Sequence, residues 1–418
     1  MQRRTLWLVV GIAGGALVLL GFAGGFLGLA LLFTGGGVLT AAETLPVAGM
    51  VALGLGLGIP LALHGWTGWR GRPSRPFDPS RGRWMWIALV LLVGLGTVVS
   101  SLPLAPALWL PPIHVLTMAL PPLIVLWLVG WALHGVGGSW REVVAGMAGG
   151  GALGLGGSLA GEVLVAFAFI VLTTAIVLTM PGGTERIASL VKDLQDPAWV
   201  TDLDNLLPFL LSPAVAIPVL VLFAIPVPLI EEACKTLAAG VVARWIRPHP
   251  ARAFLWGVAG GAGFALAENL FSGALGGAEG WALGAVARFG VTVMHCLTAG
   301  LVGWGWGELW TAGRPLRLLG SYLVAVAIHS LWNAAAVGAV LLSASASAHE
   351  GDEFWLTIAS FGTLACLGLL GLLTAAFFFV LPLAGRRLAA GTERSQQGAA
   401  GSDELFIPVS SEAPASGP

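Results

Sequence analysis

Charge is scarce in this chain: 10% of its 418 residues are charged and 57% are hydrophobic. A soluble protein of this length needs far more charge to cover its surface, so a water-soluble globular fold is excluded. Alternation of period two is missing, which excludes a membrane β-barrel. The first apolar run is too long for a cleaved signal peptide, and no clear small-residue cleavage site follows it, so it reads as the first membrane helix. Cysteine is rare. Cys234, Cys296 and Cys366 all sit in apolar runs without a metal spacing or a disulfide framework, and read as small buried residues. Lysine is nearly absent: Lys192 and Lys235 are the only two among twenty basic residues. A Lys inside an apolar segment is therefore an exception that needs a reason. No solenoid repeat is visible, and no membrane Ser has the Gly-x-Ser-x-Gly-like setting of a serine protease.

What is present is a series of apolar runs, each long enough to cross a bilayer core of about 30 Å. Backbone groups in lipid must be satisfied within the segment, so the runs are expected to be helices. The fold class expected is an all-α polytopic bundle of about ten spans (8–11): roughly 6–33, 44–66, 85–104, 113–135, 143–180, 208–246, 253–273, 282–304, 318–343 and 354–383. Basic residues collect before the first run, in alternate connections and after the last run, which puts both termini in the cytoplasm. The connection 181–207 is acidic, with Glu185, Asp193, Asp196, Asp202 and Asp204. Two spans are too long for one straight crossing. Pro218, Pro226 and Pro228 should break the segment 208–246 and leave a helix from about 227 to 246. The 61 glycines, spread through the spans, signal close helix packing. Residues 1–142 are expected to be membrane helices of open role, 143–387 a membrane core, and 388–418 a disordered cytoplasmic tail.

Ionisable residues inside lipid are costly and mark function. His64, His114 and His134 lie near span ends and read as interfacial. The second half differs. Glu231, Glu232 and Lys235 open the helix after the prolines, with Lys235 three and four residues from the two carboxylates and so on one helix face. Two adjacent carboxylates in an apolar setting suit a general base that activates water; the alternative is a buried ion pair that fixes packing. The next span carries Glu268 beside Asn269, the one after it His295, and the next His329 with Asn333 at i+4. Arg288, seven residues before His295, reads as an interfacial anchor or as a partner for substrate or a carboxylate. Glu232 lies 15 residues before Arg247, Glu268 16 after Arg252, His295 13 before Glu308 and His329 12 after Arg317. At about 1.5 Å per residue, all four fall about 18–24 Å from the cytoplasmic edge, in one layer.

At these residues the chain resembles the PrsW family of intramembrane proteases, within the wider group that includes the CAAX prenyl proteases. The family's Glu-Glu-x-x-Lys motif stands here as Glu231, Glu232 and Lys235. Its Phe-Ala-x-x-Glu-Asn motif stands as Phe264, Ala265, Glu268 and Asn269, and its two histidine helices carry His295 and His329. His329 and Asn333 match the His-x-x-x-Asn of the wider group. The resemblance covers about 208–343. It implies hydrolysis of a peptide bond in or near the bacterial cell membrane, in a membrane-protein substrate such as an anti-sigma factor, with no nucleic-acid partner. Glu231 or Glu232 would deprotonate the water, with Lys235, Glu268, Asn269, His295, His329 and Asn333 completing the site. In one version Glu268, His295 and His329 hold a divalent metal, zinc by preference. In the other no metal is needed, and His329 and Asn333 stabilise the oxyanion. A proton-coupled transporter using the same buried groups, or a non-catalytic membrane scaffold, are the alternatives.

Overall fold

The computed structural model describes residues 3–34, 40–79, 82–102, 106–272, 280–349 and 351–404, and these residues contain helices and no β-strand. The chain begins with α1 (Arg3–Thr34), α2 (Ala41–Trp69), α3 (Trp84–Ser100) and α4 (Pro106–Leu133). Next come α5 (Trp140–Ala148), a π-helical stretch (Gly149–Gly154) and α6 (Leu155–Leu178). Three short helices follow: α7 (Gly183–Gln195), α8 (Pro197–Thr201) and α9 (Leu203–Leu211). The remainder is α10 (Pro213–Ala224), α11 (Pro226–Ile246), α12 (Pro250–Ser272), α13 (Trp281–Ala312), α14 (Pro315–Ala348) and α15 (Glu353–Glu404).

Nine helical stretches among the described residues are long and apolar enough to cross a membrane, and α3, at 17 residues, is a shorter apolar helix. This is the polytopic bundle that the apolar runs imply. Its outside is apolar: Val163, Leu164, Phe167 and Ile170 of α6 are all about two-thirds exposed, as a lipid-facing surface requires.

The two over-long spans are interrupted in different ways. The segment 208–246 breaks at Ile225, whose ψ of −71° and φ of −122° leave the helical region, just before Pro226. Proline at the first helical position lacks only an N–H that would be orphaned there. Residues 143–180 instead form one continuous stretch, widened to a π-helix over the run Gly-Gly-Gly-Ala-Leu-Gly. The tail departs from expectation, because α15 runs to Glu404, beyond residue 388. Leu388 and Ala389 pack on the core and hold the helix there. Residues 405–418 lie outside the described residues. His114 is not interfacial: it is fully buried, and its ring nitrogens meet the Leu270 carbonyl at 3.2 Å and the Trp281 indole N–H at 3.3 Å.

Lipid tails are as apolar as leucine, so the helices are held by close packing rather than by expulsion of water. Glycine makes that packing possible. A Cβ on Gly65 of α2 would stand 2.3 Å from Gly11 N of α1, and one on Gly54 2.5 Å from Gly21 Cα. This zips α1 and α2 into a hairpin. α12 is the hub, with 83% of its most apolar window buried against 11% for α1. Phe254, Leu255 and Val258 of α12 pack with Val125 and Leu133 of α4 and Met294 and Leu297 of α13. At one end of the hub Arg252 pairs with Glu142 of α5. At the turn between α13 and α14, Glu308 accepts from Arg314 at 3.1 Å and from Arg317 at 2.8 Å.

Candidate functional site

Four helices bring their ionisable residues to one buried place. The N-terminal half of α11 supplies Glu231, Glu232 and Lys235, which are 8%, 0% and 1% exposed. α13 supplies His295 and α14 His329, each 2% exposed. α12 supplies Glu268, whose side chain is 29% exposed and opens the cluster outward. The local chain makes this convergence possible. A Cβ on Gly260 would stand 2.7 Å from the Lys235 carbonyl oxygen, and one on Gly261 2.3 Å from the His295 carbonyl oxygen. Only glycine lets the α12 backbone come so close to α11 and α13.

Lys235 lies at the centre. Its ammonium is 2.7 Å from Glu232 Oε1, 3.0 Å from Glu231 Oε2, 2.7 Å from His295 Nδ1 and 3.4 Å from His329 Nδ1. The Phe264 ring closes one side, 4.6 Å from Nζ. An ammonium only donates and a carboxylate only accepts. His295 Nδ1 is therefore the acceptor from Lys235, and Nε2–H donates to Glu268 Oε2 at 2.8 Å. His329 Nδ1–H donates to Glu232 Oε1 at 2.8 Å, which leaves Nε2 facing Glu231 Oε2 at 3.8 Å. Each histidine is thus oriented by its own carboxylate. Among the described residues Glu232 Oε2 has no hydrogen-bond partner, and it is buried.

Arg288 settles as a carboxylate partner, not an anchor. Its guanidinium donates to Glu268 Oε1 at 3.1 Å and to Asn269 Oδ1 at 2.6 Å, and its NH2 lies 2.8 Å from Glu268 Oε2. Asn269 in turn donates to Thr292 Oγ1 at 3.0 Å. This chain of contacts fixes Glu268 from behind, and Asn269 serves it without touching the central group.

Glu231, His295 and His329 each offer a donor atom, and these atoms lie within 4.8 Å of one another. Glu231 stands in this group where Glu268 was expected; Glu268 contacts Arg288 and His295. Two imidazoles and a carboxylate are donor types that zinc takes. The ammonium of Lys235 holds a positive charge amid those donors. Asn333 is not brought to the cluster. Its amide donates to the Phe223 carbonyl at 3.0 Å, one of the last carbonyls of α10 that the break at Ile225 leaves without a helical donor.

Sequence reasoning overlooked Glu162. It is half-buried in the middle of the apolar helix α6 and feels the charges of Glu231, Glu268 and Lys235. The signal was available, since Glu162 is the single charged residue of that helix.

Residues 157–347 match the model of the PrsW family intramembrane metalloprotease. The matched segment runs from α6 to the end of α14, beginning earlier than the motif-bearing region and containing every residue of the cluster. Neither the curated proteins nor the solved structures yield a match.

Proposed function

We propose, from the match of residues 157–347 to the PrsW family intramembrane metalloprotease model, that the cluster around Lys235 hydrolyses a peptide bond of a membrane-associated protein. The observation that carries the reading is the convergence of Glu231, Glu232, Glu268, His295 and His329 from four helices into a buried knot. Packing alone gives no reason to gather such costly groups at one point.

In this reading Glu231, His295 and His329 hold a divalent cation, zinc by preference. When bound, the cation supplies Lewis-acid polarisation of the peptide carbonyl and a more acidic water. Glu232 is the general base: Oε1 is pinned by Lys235 and His329, and the unengaged Oε2 takes a proton from water and passes it to the leaving amine nitrogen. Glu268, braced by Arg288, keeps His295 in its tautomer, the job a carboxylate does behind a ligating histidine. Lys235 offsets the charge of the carboxylate pair. A metal-free variant is favoured by one observation, the presence of the Lys235 ammonium among the donors; there Lys235 itself is the resident cation. Asn333, tied to α10, is a packing residue in both.

The substrate is proposed to be a single-span membrane protein such as an anti-sigma factor or another signalling protein. The setting is the bacterial cell membrane, with both chain termini in the cytoplasm. The partition into N-terminal helices (1–142), protease core (143–387) and tail (388–418) belongs to the same proposal. The test is labelling of new N-termini in membrane vesicles that carry the chain. Internal cuts in single-span proteins, absent with Glu232→Gln, are expected. Identical cut sites in both samples would remove the reading and leave a transporter or a scaffold.

A further inference from the structure

Between α1 and α11 lies a groove of about 480 Å³, floored by the π-helical stretch and by α12. α1 packs on α2 through its glycines and turns another face to the groove. The walls are apolar, with Trp7, Ala13 and Leu20 of α1 on one side and Ala239 and Ile246 of α11 on the other. The groove runs from Trp7 and Ile246, at one end of the bundle, to Leu20 and Lys235 at depth. Those limits are 13 residues apart on α1 and 11 on α11, or about 16–20 Å at the rise of a helix. That is little more than half of a bilayer core of about 30 Å. A membrane-spanning helix has to cross the whole core, whereas the hydrocarbon chain of a lipid reaches from one surface to the middle. The length of the groove therefore fits an acyl chain.

The mouth of the groove is positively charged. Trp7 and Trp256 stand there, each with an arginine over its ring: Arg141 Cζ is 5.1 Å from the Trp7 centroid and Arg252 Cζ 5.2 Å from that of Trp256. Such tryptophans belong at headgroup level. Arg4 is exposed and lies one turn before Trp7, on the same helix face. Glu142, also at the mouth, pairs with Arg252. Arg141 is 8% exposed, and its guanidinium donates to the Arg72 carbonyl at 2.9 Å and to Thr67 Oγ1 at 3.3 Å. Its Nε is buried with no hydrogen-bond partner, and among the described residues no carboxylate forms a salt bridge with it. Three guanidinium groups against one carboxylate leave the mouth with excess positive charge.

We propose that the groove between α1 and α11 binds an anionic phospholipid, its acyl chain along the apolar walls and its phosphate headgroup at the mouth formed by Arg4, Arg141 and Arg252. A basic pocket between membrane helices is a setting that holds anionic headgroups. The end of the chain reaches Lys235, so the lipid packs on the helix that carries Glu231 and Glu232. The site does not depend on what the cluster hydrolyses.

Native mass spectrometry of the delipidated protein in detergent counts bound lipids and chain copies in one spectrum. The probes are phosphatidylglycerol and phosphatidylcholine with identical acyl chains. Wild type is expected to hold one phosphatidylglycerol at least about 10-fold more tightly than phosphatidylcholine. Arg4→Gln and Arg141→Gln each weaken phosphatidylglycerol by about 5-fold, the worth of one basic residue toward an anionic lipid surface, and leave phosphatidylcholine unchanged. Ala13→Trp and Ala239→Phe fill the groove and remove the bound lipid, whereas Val163→Trp on the apolar outside of α6 keeps it. Arg4 and Ala13 are exposed, so their variants carry the test if those at Arg141 and Ala239 misfold. Equal affinity of wild type for the two lipids, or lipid retained in monodisperse Ala13→Trp, would overturn the proposal and leave a general lipid coat. A wild-type dimer that Ala13→Trp dissolves would also overturn it, by placing a second copy in the groove.

Discussion

At the scale of single residues, what was legible in the sequence was whatever broke the chain's own habits. Glu231, Glu232, Lys235, Glu268, His295 and His329 stood out because lipid-depth segments carry little other charge, and the structure gathers all six. Asn333 was misjudged for a physical reason. Its i+4 spacing puts it on the His329 face, but its partner is a carbonyl released by a break in α10, which no spacing within α14 reveals. The pairing of Glu268 with Arg288 was hidden likewise, because it depends on a side chain reaching over from an adjacent helix. Two predictions belong here. Glu268→Gln leaves His295 without its orienting carboxylate and is expected to lower kcat by about 10- to 100-fold, with little change in KM, in steady-state cleavage. Lys235→Met strands the Glu231–Glu232 pair. Loss of one partner from a buried charge set costs about 3–5 kcal/mol, so a clear fall in thermal stability is expected in detergent; an unchanged melting temperature would show that the ammonium does not hold the knot together.

At the scale of elements, the apolar runs gave the spans because their length is a direct consequence of bilayer thickness. The proline break before α11 was legible for the same kind of reason, since proline removes a helical donor. The π-helical stretch at Gly149–Gly154 was not. It arises where a Cβ on Gly150 would stand 1.8 Å from the Gly260 carbonyl oxygen and one on Gly151 2.8 Å from that of Gly263, contacts between segments a hundred residues apart. The helical course of α15 past residue 388 was missed because its composition is polar and small, while its first part is held by packing of Leu388 and Ala389. The seam of α12 carries the clearest prediction. Gly261→Ala forces its methyl against the His295 backbone and is expected to cost about 1–3 kcal/mol, the usual range for overpacking, together with most of the activity. Gly320→Ala, with nothing within 4 Å of the added carbon, is expected to be neutral. Thermal melts of both proteins check the contrast.

At the scale of the whole molecule, burial rises from the α1–α2 hairpin at the edge to α12 at the centre, and the chemistry sits against that centre. The family match covers α6 to α14, and every residue of the cluster lies within it. The central claim is that this buried knot cuts peptide bonds. Its most direct test is cleavage of a single-span membrane protein by the purified chain in proteoliposomes, comparing wild type with Glu232→Gln and His329→Ala, with and without chelator. Cleavage by wild type is expected, with a fall of about 100-fold or more when the general base is removed, and with loss on chelation and recovery on adding zinc in the metal-holding form. Equal cleavage by wild type and both variants would contradict it.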